Sequence, residues 1–383
     1  MALGEERARK AVFIGVSHYP KGTQWGPLPC CTKDAKAMRK KFASCQDVED
    51  HPVDNFHARV LTSTKRQVLG TPVVKEAIRK VLKTAHGSAL IYFSCHGSLE
   101  KDEGWLIMQD YTTANPGVPM NWLMDEIRGA MGSEKLKSVL LILDCCHAAQ
   151  MGDVERPESI RGPIVRISQL PEGMTILAAA RADELAEEPI EGDHGLFTGA
   201  LLKGLDGHAA DILGKVTAAS LYAFAEGVFG AWEQRPVLKA NVSSLEPIHV
   251  CKPKVTLAEL ELLTKDFKTA GGTHKLSPAY EPDEDAKKRY NGDPSDKVGG
   301  VLKGPKFPSA RGIRMDKAKN AIFNRFKHYR DAGLLRGEQC ANGSRRDLYH
   351  SAMMSRPVEL TSLGQYYWDL MKQKQRWRAG HRY

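Results

Sequence analysis

Short apolar runs alternate with amphipathic stretches over roughly the first 240 residues of this 383-residue chain. Val139 to Leu143 are five consecutive apolar residues between polar neighbours. That is the pattern of a strand covered on both faces in a parallel sheet. Residues 89–93 form a second such run. Residues 10–15, 56–61 and 174–179 predict further core strands, 236–238 a short last one, and 105–108 a short strand or hairpin arm. Between them lie helical periods. Ala35, Met38 and Phe42 share one stripe of a helix opened by Asp34, and Val74, Ile78 and Val81 share one over 72–82. Residues 120–131, 197–205 and 217–229 predict three more helices. Alternating strands and helices of this kind make an α/β sheet.

The pattern changes near residue 250. Residues 256–268 predict one helix, and 280–304 are poor in apolar residues and read as linker. Order resumes at 316, where Ala321, Ile322, Phe326 and Tyr329 share one face of a helix over 317–330, and Gly333 stops it. A polar loop over 337–346 and an aromatic helix containing Tyr366, Tyr367 and Trp368 complete the chain. The expected organisation is an α/β domain over 1–250, a linker over 251–310 and a small basic domain over 311–383. Charge supports the division. The chain carries +9, but residues 303–383 hold 18 Lys and Arg against 6 Asp and Glu, leaving −3 for the rest. Such asymmetry points to a tail module with its own partner.

Composition excludes other classes. At 42% hydrophobic and 26% charged residues the chain is of ordinary globular type. No apolar run approaches the roughly 18–20 residues that span a bilayer, and no leader peptide pattern precedes the first strand. Neither a membrane nor secretion is expected. The eight cysteines include two adjacent pairs, Cys30-Cys31 and Cys145-Cys146, and no CxxC pair. This is neither a disulfide framework nor a zinc signature, so a reducing compartment, most simply the cytoplasm, is expected.

The chemistry gathers where two strands end. Residues 89–93 run into Ser94-Cys95-His96-Gly97, and 138–143 run into Asp144-Cys145-Cys146-His147. Open α/β sheets bind ligands at the carboxyl ends of their strands. Taken alone, Cys146 reads as a buried structural thiol. A histidine on a neighbouring strand changes that reading, because a thiol needs a base to become a nucleophile. The fifty residues between His96 and Cys146 suit a strand, a crossover helix and a parallel strand, which brings both to one edge. The backbone N–H groups of Gly97 and Cys146 are then placed to receive an oxyanion. His147 is a competing base, but as the next residue along it should point to the other side.

These residues resemble a caspase-fold cysteine peptidase, nearest the metacaspase and bacterial caspase-like branch. Tyr92-Phe93-Ser94-Cys95-His96-Gly97 stands for the family's Y-[FY]-S-G-H-G, and Asp144-Cys145-Cys146-His147 for D-S-C-H. Residues 28–35 (LPCCTKDA) are similar to L-x-G-C-x-x-D-A. Residues 176–186 (ILAAARADELA), 195–201 (GLFTGAL) and 234–238 (QRPVL) follow in family order. The resemblance covers residues 10–250 and implies a mostly parallel sheet flanked by helices, with His96 as general base and Cys146 as nucleophile. Cys95 and Cys145 depart from the pattern, either as redox-sensitive neighbours or as fillers of small buried volumes.

By the same resemblance, Asp34, Ser94 and Asp144 build the pocket for the residue before the scissile bond. Two carboxylates there favour Arg or Lys and reject Asp; structural roles for both acids are the alternative. Arg156, Arg161 and Arg166 fall where relatives are cut on activation and stand as self-cleavage sites. No cofactor is expected. Calcium is a common activator in the family, but no metal site is assigned, and the acidic run over 281–285 reads as solvated linker. The tail, more weakly, resembles a winged helix, with Arg325, Lys327, Arg330, Arg345 and Arg346 offered to nucleic acid phosphates or a basic face docking a regulatory protein. The expected function is a cysteine endopeptidase acting on a protein substrate, and in prokaryotes an effector of defence or regulated cell death. The rival is a catalytically silent scaffold or a nucleic-acid-binding regulator working through the tail.

Overall fold

Five parallel strands carry the first unit, and their apolar runs explain why they lie at its centre. The computed structural model describes residues 9–47, 50–64, 68–100, 103–145, 170–179, 193–230, 235–280, 316–339, 343–345 and 347–380. The chain forms two units, Met1–Lys252 and Pro253–Tyr383. In the first, β1 (Lys10–Gly15) is followed by helix α1 (Cys31–Ala43), a hairpin of β2 (Ser44–Gln46) and β3 (Pro52–Asp54), β4 (His57–Thr62) and α2 (Thr71–Thr84). Then come β5 (Gly87–Ser94), β6 (Gly97–Glu100), β7 (Glu103–Thr112), β8 (Asn115–Pro119), α3 (Met120–Met131) and β9 (Leu136–Asp144). The unit ends with β10 (Met174–Ala178), α4 (Leu196–Lys203), β11 (Lys215–Val216), α5 (Ala218–Phe229), β12 (Val237–Asn241) and β13 (His249–Val250).

The main sheet runs β12-β10-β9-β5-β1-β4, parallel throughout except for the antiparallel edge strand β12. Alternation along the strands separates two cores. Ile91, Phe93, Leu141 and Leu143 face α2 and α3, whereas Leu90, Tyr92, Leu140 and Ile142 face α1, α4 and α5. Both faces are covered, as the unbroken apolar runs require. The register aligns the strand ends: Gly15 lies beside Ser94, and Ser94 beside Asp144. A side chain at Gly15 would collide with the carbonyl of Cys31. The glycine thus lets the start of α1 close on the end of β1, which brings Asp34, in the first turn of α1, toward the sheet edge. Residues 105–108, expected as a short strand or hairpin arm, lie in β7, the middle strand of the small sheet β6-β7-β8; the hairpin β2–β3 and the strands β6 and β8, short or polar, go beyond the sequence reading.

The second unit contains α6 (Leu257–Asp266), β14 (Thr273–Lys275), α7 (Lys317–Asp331), β15 (Leu335–Gly337), α8 (Leu348–Met353), β16 (Pro357–Leu360) and α9 (Ser362–Gly380). Its sheet is antiparallel, in the order β14-β16-β15. Residues 256–280, expected within the linker, instead supply a helix and a strand of this unit. A reciprocal cap starts α6: Thr256 Oγ1 accepts from the Glu259 N–H and Glu259 Oε2 accepts from the Thr256 N–H. On α7 the buried stripe is Phe323, Phe326 and Tyr329; Ala321 is exposed.

The basic face expected of this unit is partly spent on internal pairs. Arg325 makes a bidentate pair with Asp266 at 2.6 and 2.7 Å, the carboxylate buried and the guanidinium half-buried. Arg330 pairs with Asp331, and Arg336 and Arg345 share Glu359. Lys327 lies over the Phe323 ring. Arg346 and the acidic run 281–285 lie outside the described residues.

Candidate active site

His96 follows the end of β5, beside two aromatic rings. Its ring centroid lies 4.9 Å from that of Tyr19 and 5.2 Å from that of Trp25. The His96 N–H donates to the Tyr19 hydroxyl at 2.9 Å, and the His96 carbonyl accepts from the Ile107 N–H on β7 at 2.9 Å. His96 Nε2 lies 2.9 Å from the carbonyl oxygen of Gly26. A carbonyl only accepts, so Nε2 carries the proton and Nδ1 keeps its lone pair. Burial lowers the His96 pKa below its ordinary value, partly offset by the Gly26 carbonyl. The ring is therefore neutral and basic at physiological pH, with the tautomer fixed by a backbone atom. The loop that supplies Tyr19, Trp25 and Gly26 is thus part of the site.

Asp34 and Asp144 meet on the other face of the same edge, around Gly195. A Cβ built on Gly195 would lie 3.3 Å from Asp34 Oδ2 and 3.4 Å from Asp144 Oδ2. The missing side chain leaves that point open between two carboxylates. Asp34 is 1% exposed; its Oδ1 accepts from His194 Nδ1 at 2.7 Å and its Oδ2 from the Gly195 N–H at 3.3 Å. Tyr92 Oη donates to Thr198 Oγ1 at 2.6 Å, which donates to Asp144 Oδ2 at 2.5 Å. Asp144 keeps some open surface, yet its carboxyl group is hemmed in by protein. That burial, against the Thr198 hydroxyl and backbone N–H, raises its pKa to about 6. Ser94 is buried between Gly15 and Asp144 at the strand ends.

The two acids also cap α4. That helix begins after Gly195 with no side-chain cap of its own, and the N–H groups of Gly195 and Thr198 point at Asp34 and Asp144. Carboxylates at a helix N-terminus are favoured by its orphan N–H groups and its dipole. The structural alternative for these acids is therefore realised in the fold, and it coexists with an anionic opening at Gly195.

A family model for the caspase domain matches residues 8–243, more than half of the chain. The chain belongs to the caspase-domain family. Membership makes it a cysteine peptidase by family, and the parallel sheet with helices on both faces is the caspase-like architecture. A search of curated proteins returned no match. Of the caspase-domain site residues expected from sequence, His96, Gly97, Asp34, Ser94 and Asp144 gather at the carboxyl edge of the sheet. Gly97 opens β6 beside His96. Cys146, His147, Arg156, Arg161 and Arg166 lie outside the described residues. Cys95 and Cys145 are buried in the core facing α2 and α3, the face opposite Tyr92 and Ile142. That placement fits small core residues.

His194, Thr198, Tyr92, Trp25 and Gly26 were not identified as site residues from sequence. Gly195 sits in a recognisable motif, but nothing local shows that His194 reaches Asp34, 160 positions away. Among the described residues no cluster of three or more His, Cys, Asp or Glu is arranged to hold a metal ion. No described helix is long and apolar enough to cross a membrane.

Proposed function

We propose that this caspase domain is an endopeptidase that cuts its protein substrate after arginine or lysine through a Cys146–His96 dyad. The observation that carries the specificity is the approach of Asp34 Oδ2 and Asp144 Oδ2 to one open point at Gly195. A guanidinium there meets two carboxylates, with planar donors suited to both, and a carboxylate side chain meets only repulsion. Ser94 closes the floor between them.

In this reading His96 Nδ1 removes the Cys146 thiol proton, and the thiolate attacks the scissile carbonyl. The N–H groups of Gly97 and Cys146 receive the oxyanion. His96 then returns the proton to the leaving amine, and a water molecule, deprotonated by the same nitrogen, releases the acyl group. Gly26 holds the imidazole in the tautomer this sequence needs. Self-cutting after Arg156, Arg161 or Arg166 follows from the same specificity and is read by mass spectrometry of the incubated protein. An arginyl probe with a thiol-reactive warhead tests the dyad: labelling should vanish in Cys146→Ala and fall in His96→Ala. Equal labelling of Cys146→Ala refutes it.

We further propose that Pro253–Tyr383 is a winged-helix-like regulatory module. Its sheet order of first, third and second strand, with α7 entering the second strand, supports this. Because Arg325 and Arg345 are engaged internally, a protein or segment of the chain fits this module better than nucleic acid does. A low-salt gel shift with the full-length protein reads the alternative.

A further inference from the structure

A cavity of about 530 Å³ opens at the C-terminal ends of α1 and α4, the helices whose N-terminal ends meet the acid pair. Lys40 and Lys41 in the last turn of α1 line it, as do Cys45 and Gln46 of β2, His249 of β13, Cys251 and Lys252. Leu205 and Asp206 complete the wall. They belong to the turn Gly204–His208 that ends α4, where Gly207 at φ 115° breaks the helix. The volume lies in the range of small-molecule sites.

Two residues of this wall each carry a polar atom that is closed to solvent and has no hydrogen-bond partner among the described residues: His249 Nδ1 and Gln46 Oε1. His249 is 6% exposed. Buried polar atoms are normally satisfied, and each exception asks for an explanation. The charge of the lining is positive, three lysines against Asp206, because burial holds His249 neutral with a pKa lowered to about 4. Lys41 pairs with Asp206 at 2.5 Å and Lys252 with Asp50 at 3.2 Å. Pairs this exposed are worth little and yield to a stronger anion. The dipole of α1 explains Lys40 and Lys41; it explains neither Lys252 nor the two orphan atoms.

We propose that this cavity binds a small phosphomonoester carrying a hydrogen-bonding ring, of the size of a mononucleotide. Lys40, Lys41 and Lys252 hold the phosphate, and Gln46 and His249 meet the ring edge. Lysines serve as point-charge phosphate binders, and an amide with a neutral imidazole offers one donor and one acceptor to a heterocycle. The site joins the C-terminal ends of α1 and α4, whose N-terminal ends carry Asp34, Gly195 and Thr198. It stands independently of the peptidase reading.

The two thiols report occupancy without any assay of activity. Cys45 Sγ accepts from the Val250 N–H, and Cys251 Sγ donates to the Leu205 carbonyl at 3.1 Å. Full-length Cys146→Ala protein is alkylated slowly with iodoacetamide, and each cysteine is followed by mass spectrometry. The ligands are AMP, ribose 5-phosphate, inorganic phosphate and adenosine. AMP at about ten times its dissociation constant should slow both Cys45 and Cys251 about ten-fold by occupancy. Ribose 5-phosphate and phosphate should protect less. Adenosine should protect least, and Lys40→Glu with Lys252→Glu, both surface changes, should abolish protection. Three results overturn the proposal. They are no protection by AMP at about 10 mM, equal protection by adenosine, and protection that survives in the double variant. Phosphate protecting as well as AMP overturns the ring-binding half and with it the ligand class.

Discussion

The two halves of the sheet edge treat their polar groups in opposite ways. At His96 one ring nitrogen is engaged by Gly26 and the other has no partner among the described residues, beside two aromatic rings. At Gly195 nearly everything is engaged: Asp34 accepts from His194 and Gly195, and Asp144 from Thr198. On the proposed function, the difference separates reactivity from recognition. A base must keep an unused lone pair, whereas a pocket for a cationic side chain would hold two like charges together before any substrate arrives, which donors from α4 make tolerable. The pair Arg325–Asp266 of the second unit is the extreme case, with each charge satisfied by the other.

Removing the unused lone pair should have the largest effect. His96→Ala is expected to lower kcat/KM about 10²- to 10⁴-fold, the usual span for a general base, while circular dichroism and the melting profile stay unchanged. Comparable loss of folding would instead make His96 a structural residue. Next comes the fully satisfied pair. Arg325→Ala leaves Asp266 charged and buried, which costs about 3–5 kcal/mol, read as early unfolding of the second unit by hydrogen exchange. A neutral outcome would mean that Arg325 is available for a partner after all.

The pocket should respond to pH. Asp144, raised to about 6, is anionic above that pH and uncharged below it. The KM for an arginyl peptide should therefore be flat above pH 6 and climb as pH falls through it, by at most about ten-fold per unit. Burial holds the His96 pKa below its ordinary value, so kcat should hold at neutral pH. Asp144→Asn should remove the slope in KM. A fall in kcat with constant KM would place the titrating group at the base. The smallest expected effect is at the two rings beside His96. Trp25→Leu removes one ring contact, about 0.5–1.5 kcal/mol, and should lower kcat by two- to ten-fold without touching the Arg-to-Lys ratio.

Much of this edge was legible in the chain because strands buried on both faces leave unbroken apolar runs. Val139 to Leu143 and Ala89 to Phe93 marked the two central strands, and the polar residues directly after them marked the edge. What lay beyond reach depends on contacts that no local pattern carries. His194 meets Asp34 only once α4 docks on α1, and Trp25 and Gly26 sit in a loop whose composition says surface. Arg325 reads as a phosphate ligand until α6 brings Asp266 to it, 59 positions away. On α7, Phe323 replaces Ala321 in the buried stripe. Both choices fit a helical period, and tertiary packing decides between them.

The most direct measurement is kcat/KM on three peptides that differ only in the residue before the cut: Arg, Lys and Asp. Two carboxylates at Gly195 predict that Arg and Lys exceed Asp by at least about ten-fold, the lower worth of one charge-assisted pair, and that Asp34→Asn narrows the gap. Fastest turnover of the Asp peptide, with the gap unmoved in Asp34→Asn, would contradict the pocket.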